Sequence, residues 1–163
     1  MDTDEIIFHS IGTIRSPFST LTDMPIQPNA ARGIRGSVVL DPKLADGLLD
    51  LEGFSHLVLI YHFHRSKGFK CKLKPFLDDK DHGVFATRAP NRPNGIGLSI
   101  VKLLNIQGNV IEVENLDILN NTPLLDIKPY VPAFDGPESV QIGWLSNKLE
   151  KFKGKRSDDR FVD

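Results

Sequence analysis

Phe54-Ser55-His56-Leu57-Val58-Leu59-Ile60-Tyr61-His62-Phe63-His64 decides how this chain reads. In an extended strand alternate side chains point to opposite faces. Leu57, Leu59, Tyr61 and Phe63 then share one face, and Val58 and Ile60 share the other with His56, His62 and His64. A strand that is apolar on both faces sits centrally in a sheet, covered from both sides. Toward the N-terminus, Ile34 to Leu40 reads as a second strand. Ile6 to Ile14, isoleucine-rich with polar residues between, reads as another, ended by Ser16-Pro17. Residues 19 to 33 carry Pro25, Pro28, Asn29 and Gly33 and read as a long loop, a kind of segment that often has a function in a small domain. Asp41-Pro42 is a helix start, with an acid as cap and proline in the first turn. The short helix runs to about Leu49, with Leu44, Leu48 and Leu51 on one face.

Toward the C-terminus, residues 65 to 82 form a basic loop, and Val84 to Thr87 is short and β-prone. Leu98 to Ile106, Gln107-Gly108-Asn109 and Val110 to Glu114 make a β-hairpin. Leu124 to Val131 is extended, and Ser139 to Phe152 can form a helix with Leu145, Leu149 and Phe152 on one side. Closely spaced strands dominate. The expected class is mainly β: a largely antiparallel sheet or small barrel with short helices at its periphery. Its 163 residues suit one domain, with 5–136 as the β unit and 137–163 as a helical extension of it.

Composition narrows the function classes. With 40% apolar and 25% charged residues the chain is globular rather than disordered. The longest apolar run, Leu57 to Tyr61, falls far short of the roughly 18 residues of a membrane span, so no membrane partner is expected. Met1-Asp2-Thr3-Asp4-Glu5 lacks the basic start of a signal peptide. The single Cys71 excludes an internal disulfide and fits a reducing compartment, so the expected location is cytoplasmic. The net charge of −1 rules out a polycation. No acid lies between Glu52 and Asp78, however, where Arg65, Lys67, Lys70, Lys72 and Lys74 cluster. Such a loop can attract a phosphate backbone locally or can simply be solvated.

Arg88-Ala89-Pro90-Asn91-Arg92-Pro93-Asn94-Gly95-Ile96-Gly97 is the least ordinary segment. A hairpin connection explains Pro93, Asn94 and Gly95 but not Arg88 and Arg92. Guanidinium groups on a stiff loop suit carboxylate or phosphate recognition, because the planar fork donates two hydrogen bonds at once. Gly95-Ile96-Gly97 precedes a strand instead of opening a helix, so a dinucleotide fold is excluded. Asp126, Lys128 and Tyr130 fall on one face of an extended segment, either as a polar working surface or as an edge strand with an exposed ion pair. His62 and His64 could start a zinc site, but nothing at matching spacing completes one, and no metal is expected.

Taken together and in order, several of these segments resemble the TrmO-like (TsaA/YaeB) family of S-adenosylmethionine-dependent tRNA methyltransferases. The resemblance covers about Ile11 to Asp135. It is carried by Ile11-Gly12-Thr13-Ile14-Arg15-Ser16-Pro17-Phe18, Pro25-Ile26-Gln27-Pro28, Leu51-Glu52-Gly53-Phe54 and Phe63-His64-Arg65-Ser66. Its most specific part is Gly83-Val84-Phe85-Ala86-Thr87-Arg88, followed by Arg92-Pro93-Asn94 and Ile96-Gly97-Leu98-Ser99, and Thr122-Pro123 and Asp126-Ile127-Lys128-Pro129-Tyr130 come last. Gly95 stands where the family usually has proline, and Asn121 where it usually has glycine, a position asparagine tolerates.

The resemblance implies a small β-barrel that binds S-adenosylmethionine, forms a homodimer and N6-methylates threonylcarbamoyladenosine next to the anticodon of tRNA. Carried over by motif, the cofactor would meet Pro25, Ile26, Gln27, Phe63, His64, Arg65, Arg88, Leu98, Asp117, Ile118, Leu119 and Asn120. Asp126 and Tyr130 would act at the reacting centre. Arg88, Arg92 and Lys128 would hold the substrate's carboxylate, with Lys67, Lys70 and Lys72 on the tRNA backbone. A non-catalytic barrel binding S-adenosylmethionine or RNA, or a methyltransferase with another acceptor, remains open at this point.

Overall fold

The computed structural model describes residues 5–22, 24–25, 31–146, 148 and 157. Its strands are β1 (Gly12–Arg15), β2 (Arg35–Leu40), β3 (His56–His62), β4 (Lys72–Leu73), β5 (His82–Gly83), β6 (Ile96–Gln107), β7 (Val110–Glu114) and β8 (Thr122–Pro129). Six of them close into an antiparallel barrel in the order β1-β2-β7-β6-β3-β8, while β4 and β5 pair with each other apart from it. The expected antiparallel β-barrel is therefore the architecture.

β3 lies between β6 and β8 in a closed barrel where every strand has two neighbours, and its outer face, expected to be covered, is only partly so. Leu57 and Leu59 are wholly buried and Tyr61 nearly so, whereas Val58 and Ile60 on the outer face are half-buried. One strand face thus fills the barrel, together with Ile14, Val38, Val101, Ile111 and Leu124. Each such side chain contributes about 1.5–3 kcal/mol by leaving water. The β6–β7 hairpin turns through Gly108, whose φ of +60° suits a two-residue connection. Asn121 stands at φ +63°, in the left-handed region that asparagine tolerates. Its side chain also accepts a hydrogen bond from Arg15.

The helix start at Asp41 is correct, since its carboxylate caps Lys43 N at 3.0 Å, but the element it opens is a 3-10 helix, Pro42–Leu48. Leu48 of that face is buried, while Leu44 stays exposed.

Four local expectations are corrected. The first strand begins only at Gly12. Both neighbours of β1 reach their last partners there, Leu40 and Leu124, and Ile6, Ile7 and Phe8 lie exposed beyond them. Val84–Ala86 is a 3-10 turn that buries Val84 and exposes Phe85. The basic loop contains the β4–β5 pair. Residues 139–146 are not helical apart from a 3-10 turn, Gly143–Leu145: Gly143 sits at φ +54°, and Val140 and Ile142 have no core to face. Leu149 and Phe152 lie outside the described residues, as do Ile26 and Gln27. A short α-helix, α1 (Pro132–Asp135), follows β8 with proline in its first turn. No helix among the described residues is long and apolar enough to cross a membrane.

Residues 64–95 leave the barrel after β3 and return at β6. They form an arm with a small apolar cluster of its own, Leu73, Val84 and Ala89. Phe63 N donates to Gly95 O at 2.7 Å and closes the base of this excursion.

Candidate functional site

A cleft of about 780 Å³ opens where the arm faces one end of the barrel. That volume lies within the range of small-molecule sites. The barrel supplies Tyr61, Gly97, Leu98, Asp117, Ile118 and Leu119 to its wall. The chain leaving β3 supplies Phe63, His64, Arg65 and Ser66, and the arm adds Pro75 to Leu77 and Phe85 to Pro90 with Arg92. Leu21, Met24, Pro25, Trp144, Leu145 and Ser157 cover the remainder.

A hydrogen-bonded polar group is built into the barrel side of the wall. Tyr61 packs edge-to-face on Phe63, with ring centroids 5.5 Å apart, and its hydroxyl lies 3.0 Å from Ser99 Oγ. Ser99 Oγ in turn donates to Asp117 Oδ1 at 2.7 Å. Gly97 makes room for this arrangement, since a Cβ there would stand 2.3 Å from Tyr61 Cε2. Burial pushes the Asp117 carboxyl up to about 7, against the opposing pull of the Ser99 hydrogen bond and the Arg88 charge. Burial and the neighbouring Asp117 also push the Tyr61 phenol upward, so it remains a donor. His64 moves the other way. Burial first, then the Arg65 charge, lowers its pKa and favours the neutral ring at pH 7.

Arg92 is tied into the arm. Its Nη1 donates to Thr87 O at 2.9 Å and to Val84 O and Ala89 O at 3.3 Å each. Trp144 fastens the far rim: its Nε1 donates to Ala86 O at 2.8 Å and its ring stacks on His82 at 4.3 Å. Asp78 pairs with both His82 and Lys148, and these two hydrogen bonds hold its pKa well below the usual carboxylate range. Ser157 closes the other rim, since its N–H donates to Met24 O and its hydroxyl to Leu21 O.

The family model for the tRNA-methyltransferase O N-terminal domain matches residues 13–136. The chain belongs to this family. A probable S-adenosyl-L-methionine-binding protein of Pyrococcus abyssi is 51% identical over 156 residues, which is 96% of this chain and 85% of that one. The human tRNA (adenine(37)-N6)-methyltransferase is 36% identical over 149 residues, 86% of this chain but 33% of the human protein. The crystal structure of TrmO from Pseudomonas aeruginosa superposes with a TM-score of 0.73 at 37% identity, covering 86% of this chain and 62% of that one. The chain thus spans about a third of the human relative and under two thirds of the bacterial structure.

Against the TrmO-family pattern, Pro25, Phe63, His64, Arg65, Arg88, Leu98, Asp117, Ile118 and Leu119 converge on the cleft. Asn120 does not line it. Its Oδ1 accepts from Ser16 N and its N–H donates to Phe18 O, so it anchors the loop behind the wall. Asp126, Lys128 and Tyr130 are also outside the cleft. The register shift at Ile60/Tyr61 sets Asp126 opposite Ile60 and Lys128 opposite Val58, on the barrel's outer face. There Asp126 and Lys128 form an exposed pair at 2.8 Å. Lys70 and Lys72 line a smaller hollow on the arm with Lys74, Asp79, Asp81 and Asn91, while the backbone carbonyl of Lys67 accepts from Asn91. Tyr61 and Ser99 were not legible as site residues. Ser99 stands in the quoted Ile96-Gly97-Leu98-Ser99 motif, but a hydroxyl in an apolar strand was the signal for Tyr61.

Proposed function

We propose that this chain is an S-adenosylmethionine-dependent methyltransferase acting on tRNA. The proposed acceptor is N6 of threonylcarbamoyladenosine beside the anticodon. One observation carries the reading: in a tRNA-methyltransferase O barrel, the motif residues line a single cleft with both a guanidinium and a carboxyl in its wall. The cleft suits the cofactor. Tyr61, Phe63 and Phe85 offer aromatic surface to an adenine, Arg88 suits a carboxylate, and Asp117 suits an ammonium or hydroxyl donor.

S-adenosylmethionine, when bound, supplies a methyl group on a positively charged sulfur. The chain's own contribution is mainly position and exclusion of water. The acceptor nitrogen must also lose a proton. His64 is neutral near pH 7 and lines the cleft, so His64 replaces Asp126 and Tyr130 as the candidate proton acceptor. Asp126, Lys128 and Tyr130 have a use if the protein is a homodimer, where one copy's outer β8 face can approach its partner's cleft. Lys67, Lys70 and Lys72 on the arm are then placed to meet tRNA phosphates. A second reading, a barrel that binds the cofactor without turnover, is favoured by the name of the Pyrococcus relative.

Methyl incorporation from labelled cofactor into tRNA carrying or lacking the threonylcarbamoyl group tests the proposal. Incorporation into the modified tRNA alone is expected. Equal incorporation into both means another acceptor, and binding without incorporation supports the non-catalytic barrel. Light scattering should give twice 18.2 kDa.

A further inference from the structure

Three barrel positions carry more polarity, or less bulk, than a core requires. Gly97 leaves space for the Tyr61 ring, Tyr61 carries a hydroxyl that phenylalanine would omit, and Ser99 is 1% exposed. Burying hydroxyls costs free energy unless they are hydrogen-bonded, and an apolar trio would pack as well. The hydroxyls form a directed chain. Ser99 has one proton and gives it to Asp117 Oδ1, so the Tyr61 hydroxyl must donate to Ser99 Oγ. The chain ends on the half-buried carboxyl of Asp117, whose opening is the cleft.

We propose that Tyr61 and Ser99 are positioning residues. Through their hydrogen-bond chain they aim the Asp117 carboxylate at one N–H or O–H donor of the bound cofactor. The inference rests on the cofactor reading above and adds two residues and a proton to it. Oδ1 is fixed by Ser99, so rotation of the carboxyl is restrained and its remaining lone pairs face the cleft. The groups that face this carboxyl are Tyr61 on β3, Ser99 on β6 and Arg88 on the arm. Burial opposes its charge and Ser99 and Arg88 favour it, so it titrates near neutrality with a pKa of about 7. A ligand donor needs the charged form. Affinity should therefore fall as pH drops through that value, approaching tenfold per pH unit below it.

The test is calorimetry of S-adenosylhomocysteine and of methylthioadenosine, which lacks the amino-acid group, from pH 5.5 to 8.5. Carbon-13 NMR of the Asp117 carboxyl in the free protein runs beside it. Wild type should bind more tightly as pH rises, and Asp117→Asn should bind weakly with a flat profile. Ser99→Ala removes the donor that favours the carboxylate, so its midpoint should move up by about one pH unit in both measurements. Tyr61→Phe should move it by less. A role confined to packing would lower the melting temperature and leave the midpoint in place. If the profile persists for methylthioadenosine, the donor is a ribose hydroxyl or base amine. If it vanishes, the donor is the ammonium. Unmoved midpoints in Ser99→Ala, or a flat wild-type profile with normal binding, overturn this inference alone. Absence of binding by wild type at every pH overturns the cofactor reading and this inference with it.

Discussion

The barrel and the arm share one cleft but hold together by different means. The barrel has continuous strand pairing and a core of aliphatic side chains such as Leu57, Leu59 and Ile111 from which water is excluded. The arm has two short strands, an apolar cluster of only Leu73, Val84 and Ala89, and a set of polar tethers: Arg92 on three carbonyls, Trp144 on Ala86, and Asp78 between His82 and Lys148. Apolar burial is indifferent to pH and only weakly sensitive to ordinary salt, whereas charge-assisted tethers answer to both. The barrel half of the cleft should therefore act as a template, and the arm half is expected to open at lower cost.

The largest effect should come from the template. Leu59→Ala removes a wholly buried side chain next to Tyr61 and should cost about 2–5 kcal/mol of global stability, read by denaturant unfolding. If protection from hydrogen exchange were lost from the arm alone, the two regions would not differ as described. Arg92→Ala should do the reverse. Losing hydrogen bonds from a charged donor costs about 1.5–3 kcal/mol, so exchange within 64–95 should rise roughly ten- to hundredfold while barrel amides keep their protection. Equal loss in both regions would make the arm part of one cooperative unit.

Asp117 sits at the seam and tests the template's polar exception. Its folded pKa is raised, so its charge opposes folding. That cost is absent below the unfolded value near 4, grows as pH rises, and is complete above about 7. Discounted for water at the cleft, Asp117→Asn should stabilise the protein by about 2 kcal/mol at pH 8 and by almost nothing at pH 4. Equal stability of mutant and wild type at pH 8 would place the carboxyl in water. The smallest effect should come from Asp78. Its pKa is depressed, so its contribution is present above the unfolded value near 4 and is lost as pH falls below that through the folded value. Asp78→Asn should speed proteolytic nicking of the arm at pH 7 without shifting the barrel's unfolding midpoint. An unchanged nicking rate would remove Asp78 from the tethers.

Arg92 and Asp126 show where sequence reasoning stops. Both stand in recognisable motifs, and both were assigned to the substrate or the reacting centre. Arg92 does line the cleft, but its Nη1 is held by carbonyls within eight residues of it, a local closure that depends on how 84–91 turns. Asp126 was placed by alternation, which gives the partition of side chains between two faces but not which face is inward once a bulge intervenes. Leu57, Leu59 and Tyr61 share a face with no charged or imidazole side chain, whereas Val58 and Ile60 share theirs with His56 and His62, and the first face is the one that turns inward.

The chain's own sequence determined the strand-rich class, the inward face of β3, the β6–β7 hairpin, the Asp41 cap and a minority of the residues that line the cleft. These features come from period-two alternation, turn chemistry and short motifs, each confined to a dozen residues or fewer. Closure of the barrel, the shift that turns Asp126 outward, the tethering of Arg92 and the Tyr61–Ser99–Asp117 chain were decided only by the tertiary structure. Tyr61 and Ser99, 38 residues apart, touch because β3 pairs with β6, and Asp117, 18 residues beyond Ser99, meets it from the segment between β7 and β8. A hydroxyl's partner and a carboxyl's proton depend on what surrounds them in space, and no local pattern carries that information.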